Sequence, residues 1–223
     1  MRFSKAIGGA ALCSLAAAQE GSVKYTDPDT GITFSSITHS NGLSTRVALP
    51  VDSANSDAIL QIVAPISFAW CGFAWGGHMT QNPLSVGWTT GATEGQKAII
   101  SSRIAYGYFG IPYAYENAEY TYLKGTGANE THWQITTRCQ GCTRWSSADG
   151  DFNLEKDESA VFAYACSSVP PDEPTNNAST FNIHEQFGIW GHDLTIAKSA
   201  NFGDWVKQNT PAVEKREEKR WSA

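Results

Sequence analysis

His132-Trp133-Gln134-Ile135-Thr136 sets polar and apolar side chains in strict alternation, and that period of two decides the fold. In an extended chain it puts Trp133 and Ile135 on one face and His132, Gln134 and Thr136 on the other, as a half-buried strand requires. Other short β-prone runs lie at 23–25, 32–34, 46–49, 58–66, 68–73, 97–104, 119–123, 159–166 and 187–196. Turn residues separate them, as in Asp27-Pro28-Asp29-Thr30-Gly31. Many short strands with frequent Gly and Asn turns predict an all-β sandwich or barrel. One short helix is expected near the end, over 200–208. No internal repeat and no long linker divides the chain, so its 223 residues suit one domain.

The first 18 residues read as a signal peptide. Arg2 and Lys5 give the positive start, residues 6–17 the short apolar stretch, and Ala16-Ala17-Ala18 the small residues for cleavage. That stretch is too short to span a bilayer, so a secreted, extracellular protein beginning near Gln19 is expected. Cleavage would remove two cations and no acid, taking the net charge from −6 to −8. Nucleic acid and anionic membranes are thereby disfavoured as partners, because both need a basic face. Asn129-Glu130-Thr131 and Asn177-Ala178-Ser179 are glycosylation triplets that fit secretion. Residues 209–223 are expected to form a charged, mobile tail, with dibasic pairs at Lys215-Arg216 and Lys219-Arg220.

In an oxidising compartment, Cys139-Gln140-Gly141-Cys142 reads as a local disulfide that fixes a turn. Cys71 and Cys166 lie in apolar strand-like runs, as either two buried thiols or a second bridge. The familiar catalytic motifs are missing: there is no G-x-S-x-G, no H-E-x-x-H and no G-x-G-x-x-G after a strand. Thr143, not His, follows the C-x-x-C, which excludes covalent c-type haem attachment.

After the initiator the chain has a single methionine, Met79, in Trp75-Gly76-Gly77-His78-Met79-Thr80-Gln81-Asn82-Pro83. Two glycines before it would let the backbone approach a planar cofactor closely. A thioether is a soft ligand suited to haem iron, and the alternative is a loop methionine filling a gap. His184 lies in a polar, aromatic-flanked loop just before the run at 187–196. Loops carried on strands are where ligands tend to sit, although a surface histidine would look the same.

At these residues the chain resembles a known family, the haem b cytochrome domain of fungal cellobiose dehydrogenase and its stand-alone, DOMON-like iron-reductase relatives. Gly76-Gly77-His78-Met79 with Leu84-Ser85-Val86-Gly87-Trp88 is similar to that family's methionine-ligand segment. Ser101-Ser102-Arg103 with Gly107-Tyr108 resembles the segment after it, and Thr131-His132-Trp133 with 138–145 the disulfide region. Ser179-Thr180-Phe181 through His184, with Phe187-Gly188 and His192-Asp193, resembles the histidine-ligand segment, and Ser199-Ala200-Asn201-Phe202 the domain's end. The likeness covers about residues 22–207, so residues 19–208 are read as one cytochrome domain.

The resemblance implies an immunoglobulin-like antiparallel β-sandwich that holds non-covalent haem b at one end. It implies Met79 and His184 as axial ligands, a Cys139–Cys142 disulfide, and Tyr108 against a haem propionate, where a half-buried strand-end tyrosine is the plain alternative. Arg103 would suit a propionate by charge, with a surface ion pair as its default role. His78 stands where the family commonly has a small residue and would either hydrogen-bond locally or compete for iron. The flavin dehydrogenase domain has no counterpart here, so a flavin dehydrogenase partner is expected as a separate chain. Outer-sphere electron transfer to or from polysaccharide monooxygenases, ferric complexes or quinones is the expected function. The rival is a carbohydrate-binding β-sandwich without haem, using some of the eight tryptophans as stacking platforms. Trp70, Trp75, Trp88 and Trp133 fall in strand-like runs and read as core.

Overall fold

Short β-prone runs broken by turn residues become sixteen strands and one helix over residues 21–52 and 56–211, which the computed structural model describes. β1 (Val23–Thr26), β2 (Thr33–Thr38), β3 (Ser44–Pro50) and β4 (Asp57–Pro65) begin a first sheet. β5 (Trp70–Ala74), β6 (Pro83–Thr89), β7 (Ala98–Ile104) and β8 (Tyr113–Ala114) belong to a second. The chain returns to the first sheet with β9 (Glu119–Tyr122), β10 (Gly127–Ala128) and β11 (His132–Gln140). A separate hairpin, β12 (Arg144–Ser147) and β13 (Gly150–Asn153), precedes β14 (Ser159–Ser167) and β15 (Gln186–Asp193) of the second sheet. β16 (Lys198–Ser199) runs parallel to β3, and α1 (Phe202–Asn209) follows.

The first sheet has the order β1-β2-β3-β4-β11-β10, with β9 also on β11; the second has β15-β14-β5-β6-β7-β8. Apart from β16, every pairing is antiparallel. The alternation at 132–136 is obeyed: Trp133 and Ile135 enter the core between the sheets, opposite Phe73, Phe162 and Trp190. The rings of Phe73, Phe162 and Trp190 lie within 6.0 Å of one another, a geometry aromatic rings favour. Cys71 and Cys166 are register partners on β5 and β14 and form a disulfide inside this core. Cys139 and Cys142 form the second.

All seven tryptophans among the described residues are buried, so none is a surface platform for sugars. β6, β8, β10, β12, β13 and β16 lie outside the runs legible in the sequence. Pro83, Ser85 and Gly87 break the apolar pattern of β6, which pairs with β5 and β7 on both edges. β15 stops at Asp193 rather than continuing to 196, because Asp193 Oδ1 accepts from the Thr195 amide (2.8 Å) and hydroxyl (2.6 Å) and turns the chain. The helix forms at 202–209, two residues later at its start than expected. Residues 1–18 and the dibasic pairs of the tail lie outside the described residues.

Candidate functional site

Both sheets carry apolar residues on their outer faces, but the two faces are finished differently. On the first sheet, Ile32, Phe34, Ala48 and Ile59 are buried under Phe202 and Trp205 of α1. On the second, Trp70, Ala74, Leu84, Val86, Trp88, Ile99 and Ala163 form the outer cluster, with Met79, Ala165 and Phe181 packed against it. No helix covers that cluster among the described residues. Around it stand large exposed apolar side chains. Val161, Phe187 and Ile189 continue the face along β14 and β15, Ile183 follows Phe181, and Tyr106, Tyr108, Phe109 and Ile111 crowd the loop between β7 and β8. Phe109 is 99% exposed. An apolar surface of this extent, rimmed by two loops, marks a binding site rather than ordinary solvent-facing sheet.

Met79 reaches this face from the turn between β5 and β6. Asn82, wholly buried, shapes the turn: its Nδ2 donates to the carbonyls of His78 (3.1 Å) and Thr80 (3.0 Å), on either side of Met79. Its Oδ1 accepts from Trp145 Nε1 (2.8 Å), which fixes the amide in place. A Cβ on Gly76 would lie 1.9 Å from Asn82 Oδ1, and Gly77 has φ +81° with Val161 at 2.7 Å from where its Cβ would be. The two glycines are therefore dictated by close approach and backbone sign. Gln81 donates its amide to Ala105 O (2.6 Å) and accepts the Ala148 amide (2.9 Å) on its side chain.

His184 comes from the opposite side, on the extended segment between Ser179 and β15. It is half-buried, edge-on to Phe187 at 5.4 Å. Three residues earlier, Phe181 packs on Trp70 (4.9 Å) and Trp88 (6.2 Å) of the outer cluster. Met79 and the Phe181–His184 segment thus border the same apolar face. Tyr108 is neither half-buried nor at a strand end. It is exposed in the β7–β8 loop and lines a pocket of about 360 Å³ with His78, Thr80, Gln81, Ala148 and Asp149. His78 is engaged locally, its Nδ1 3.0 Å from Thr80 Oγ1 and its Nε2 3.0 Å from Asp149 Oδ2. Asn129 and Asn177 are both exposed.

The default surface role for Arg103 is wrong. Arg103 is 5% exposed and makes no carboxylate pair among the described residues. Its Nε donates to Ser101 Oγ (2.6 Å), Nη1 to Pro112 O (3.1 Å), and Nη2 to Asn177 O (3.2 Å) and Ser179 O (2.7 Å). Burial lowers its pKa from the ordinary guanidinium value. Asn82 was not legible as a site residue, and for Arg103 the sequence suggested a propionate or a surface ion pair but not a buried role. Besides local partners, Arg103 meets the carbonyls of Asn177 and Ser179 and Asn82 meets the Trp145 indole, all far away in sequence, and only the polar Asn82 between Gln81 and Pro83 hinted at a special turn.

The donor set can be tested against haem. No group of three or more His, Cys, Asp or Glu among the described residues is placed for a metal ion, so a bare metal centre has no support. One thioether and one imidazole at the edge of an apolar face do suit a haem iron. The floor is low, built of Gly72, Ala74, Ala163 and Ala165, as a flat macrocycle needs. Trp70 Nε1 is a buried donor on this side of the sheet without a protein acceptor, the kind of group a polar cofactor edge can satisfy. The residues present fit the group.

Comparison with known proteins supports this reading. Residues 25–204 match the family model for the cytochrome domain of cellobiose dehydrogenase. A pyrroloquinoline quinone-dependent pyranose dehydrogenase of Coprinopsis cinerea is 32% identical over 217 residues, covering 95% of this chain and 29% of that protein. The chain thus spans under a third of the length of the curated relatives it matches. Among solved structures, the cytochrome b domain of the Coprinopsis cinerea pyranose dehydrogenase aligns with TM-score 0.77 at 30% identity, over 86% of this chain and 97% of that one. The cytochrome domain of Myriococcum thermophilum cellobiose dehydrogenase aligns with TM-score 0.74 at 30% identity, over 87% and 99%.

Proposed function

The chain belongs to the family of the cytochrome domain of cellobiose dehydrogenase, and we propose that it is an extracellular b-type electron carrier whose haem iron is held by Met79 and His184. The observation that carries this reading is the outer face of the second sheet, apolar, low-floored and bordered by one thioether and one imidazole. A haem b bound there supplies a one-electron couple. The chain's residues do the rest. Met79 and His184 would hold the iron, and with both protein ligands in place there would be no position for substrate or oxygen, so that transfer would be outer-sphere. Leu84, Val86, Ala163 and Phe181 exclude water from one side of the site, which with the ligand pair favours a raised potential. Tyr108, exposed at the rim beside the Met79 turn, is proposed to contact a propionate.

Because the matched relative is a quinone-dependent sugar dehydrogenase, the electron donor is proposed to be a sugar dehydrogenase unit with a quinone or flavin cofactor. Acceptors of the outer-sphere class follow: a copper polysaccharide monooxygenase, a ferric complex or a free quinone. Docking by this acidic chain depends on ionic strength. The reading is tested by reducing the haem-loaded protein and exposing it to carbon monoxide, then to a substitution-inert one-electron oxidant. It predicts no carbon monoxide spectrum and complete single-electron reoxidation. Rapid carbon monoxide binding would place an open position at iron and reject the carrier mechanism.

A further inference from the structure

Arg103 is a buried cation whose hydrogen-bond partners are four neutral oxygens drawn from three segments. Ser101 belongs to its own strand, β7. Pro112 closes the loop that carries Tyr106, Tyr108 and Phe109. Asn177 and Ser179 open the segment that runs through Phe181 to His184. The guanidinium carbon also lies 5.6 Å from the centre of the Phe181 ring. Ser101 doubles the attachment, its Oγ donating to Asn177 O (2.5 Å). Hydrogen bonds from a charged donor are about twice as strong as neutral ones, and a planar five-donor fork can satisfy carbonyls in three directions where a lysine ammonium cannot.

We propose that Arg103 is the positioning residue of the site: by gathering the carbonyls of Pro112, Asn177 and Ser179 onto β7, its guanidinium sets the path of residues 179–184 and so the stance of the His184 imidazole. Both loops that border the outer face are then held by one side chain that itself touches neither ligand atom. The consequence at iron rests on the electron-carrier reading above, whereas the clamp does not. Loss of the fork frees the two loops while the inner core, which contains no part of it, keeps its packing.

The test uses the full chain with Arg103→Gln, Arg103→Lys and Ser101→Ala. In the haem-free proteins, amide hydrogen exchange is followed segment by segment. Arg103→Gln is expected to speed exchange at least ten-fold over 106–113 and 177–187 and to leave β2, β3 and β4 unchanged, with Ser101→Ala intermediate. If Arg103→Gln does not fold, Arg103→Lys, which keeps the charge and the stem, is expected to show the same regional pattern. In the haem-loaded proteins, transfer of haem to apomyoglobin is expected to be at least ten-fold faster for Arg103→Lys than for wild type. Exchange unchanged in both segments, or faster uniformly along the chain, would overturn the clamp. Wild-type protein that takes up no haem would reject the electron-carrier reading, and the exchange pattern would still decide the clamp.

Discussion

The two sides of the apolar face are built on opposite plans. Met79 sits in a turn whose every neighbour is fixed: Asn82 bridges the carbonyls of His78 and Thr80, Trp145 locks Asn82, and Gln81 ties the turn to Ala105 and Ala148. His184 sits on an extended segment attached near its two ends, by Ser179 to Arg103 and by the Glu185 amide to Cys166 O (2.9 Å), with Phe181 as a ring anchor between. The proposed ligand pair offers a chemical reason for the difference: a thioether would bind iron weakly and contribute only where its geometry is prepared in advance, whereas an imidazole would bind strongly enough to tolerate a segment held at fewer points. Damage on the methionine side should therefore appear in the haem-free fold, and damage on the histidine side in haem retention.

Gly76→Ala is the severest way to break the methionine side. Its Cβ would overlap Asn82, whose position is fixed by three hydrogen bonds, so a cost of about 3 kcal/mol or more is expected in urea unfolding of the haem-free protein. Asn82→Ala comes next. It leaves Trp145 Nε1 and two carbonyls without their partner, and about 2–3 kcal/mol is expected by the same measurement. Either variant unfolding like wild type would show that the turn is not preassembled. Removing the Cys139–Cys142 bridge by paired serine substitution acts one step further out, on the turn just before Trp145. A three-residue separation gives a loss of roughly 2 kcal/mol in the chain-entropy view. Retention of the low-spin spectrum in that variant would sharpen the comparison by assigning the hold on Met79 to Asn82 alone.

A smaller effect is common to both sides, because both stand on the inner core. Burial lowers the pKa of His192 to about 4, and Trp190 Nε1 donates to its Nδ1 (3.1 Å), which requires the neutral ring. The folded value lies below the unfolded 6.5, so the unfolded chain takes up a proton that the fold refuses. Stability from this group is complete above about pH 6.5 and declines as pH falls toward about 4. Unfolding midpoints across that window should fall less steeply in His192→Asn than in wild type.

Much of this was legible in the chain because it depends on local period. The alternation at 132–136 gave β11 and its core face, and the flanking turns gave most of the sandwich. Met79 stood out by rarity and by the glycines before it, but what crowds those glycines is the protein's own Asn82 and Val161, not the planar cofactor they were expected to admit. What was not legible depends on distance in sequence. Asn82 and Trp145 are 63 residues apart, and Arg103 reaches carbonyls 74 and 76 residues away. No periodicity encodes which backbone oxygen a buried side chain meets. The default surface ion pair for Arg103 therefore failed, and the strand-end alternative for Tyr108 failed because the β7–β8 loop carries it outward.

If Met79 and His184 hold one haem iron between them, visible spectra will report each ligand separately. The experiment titrates the haem-free protein with haemin and records spectra of wild type, Met79→Ala and His184→Ala, oxidised and reduced. A sharp low-spin reduced spectrum is expected for wild type, retained haem with an open, carbon monoxide-binding iron for Met79→Ala, and loss of haem for His184→Ala. Wild-type spectra in both variants would refute the ligand assignment, and no haem uptake by wild type would refute the electron-carrier function itself.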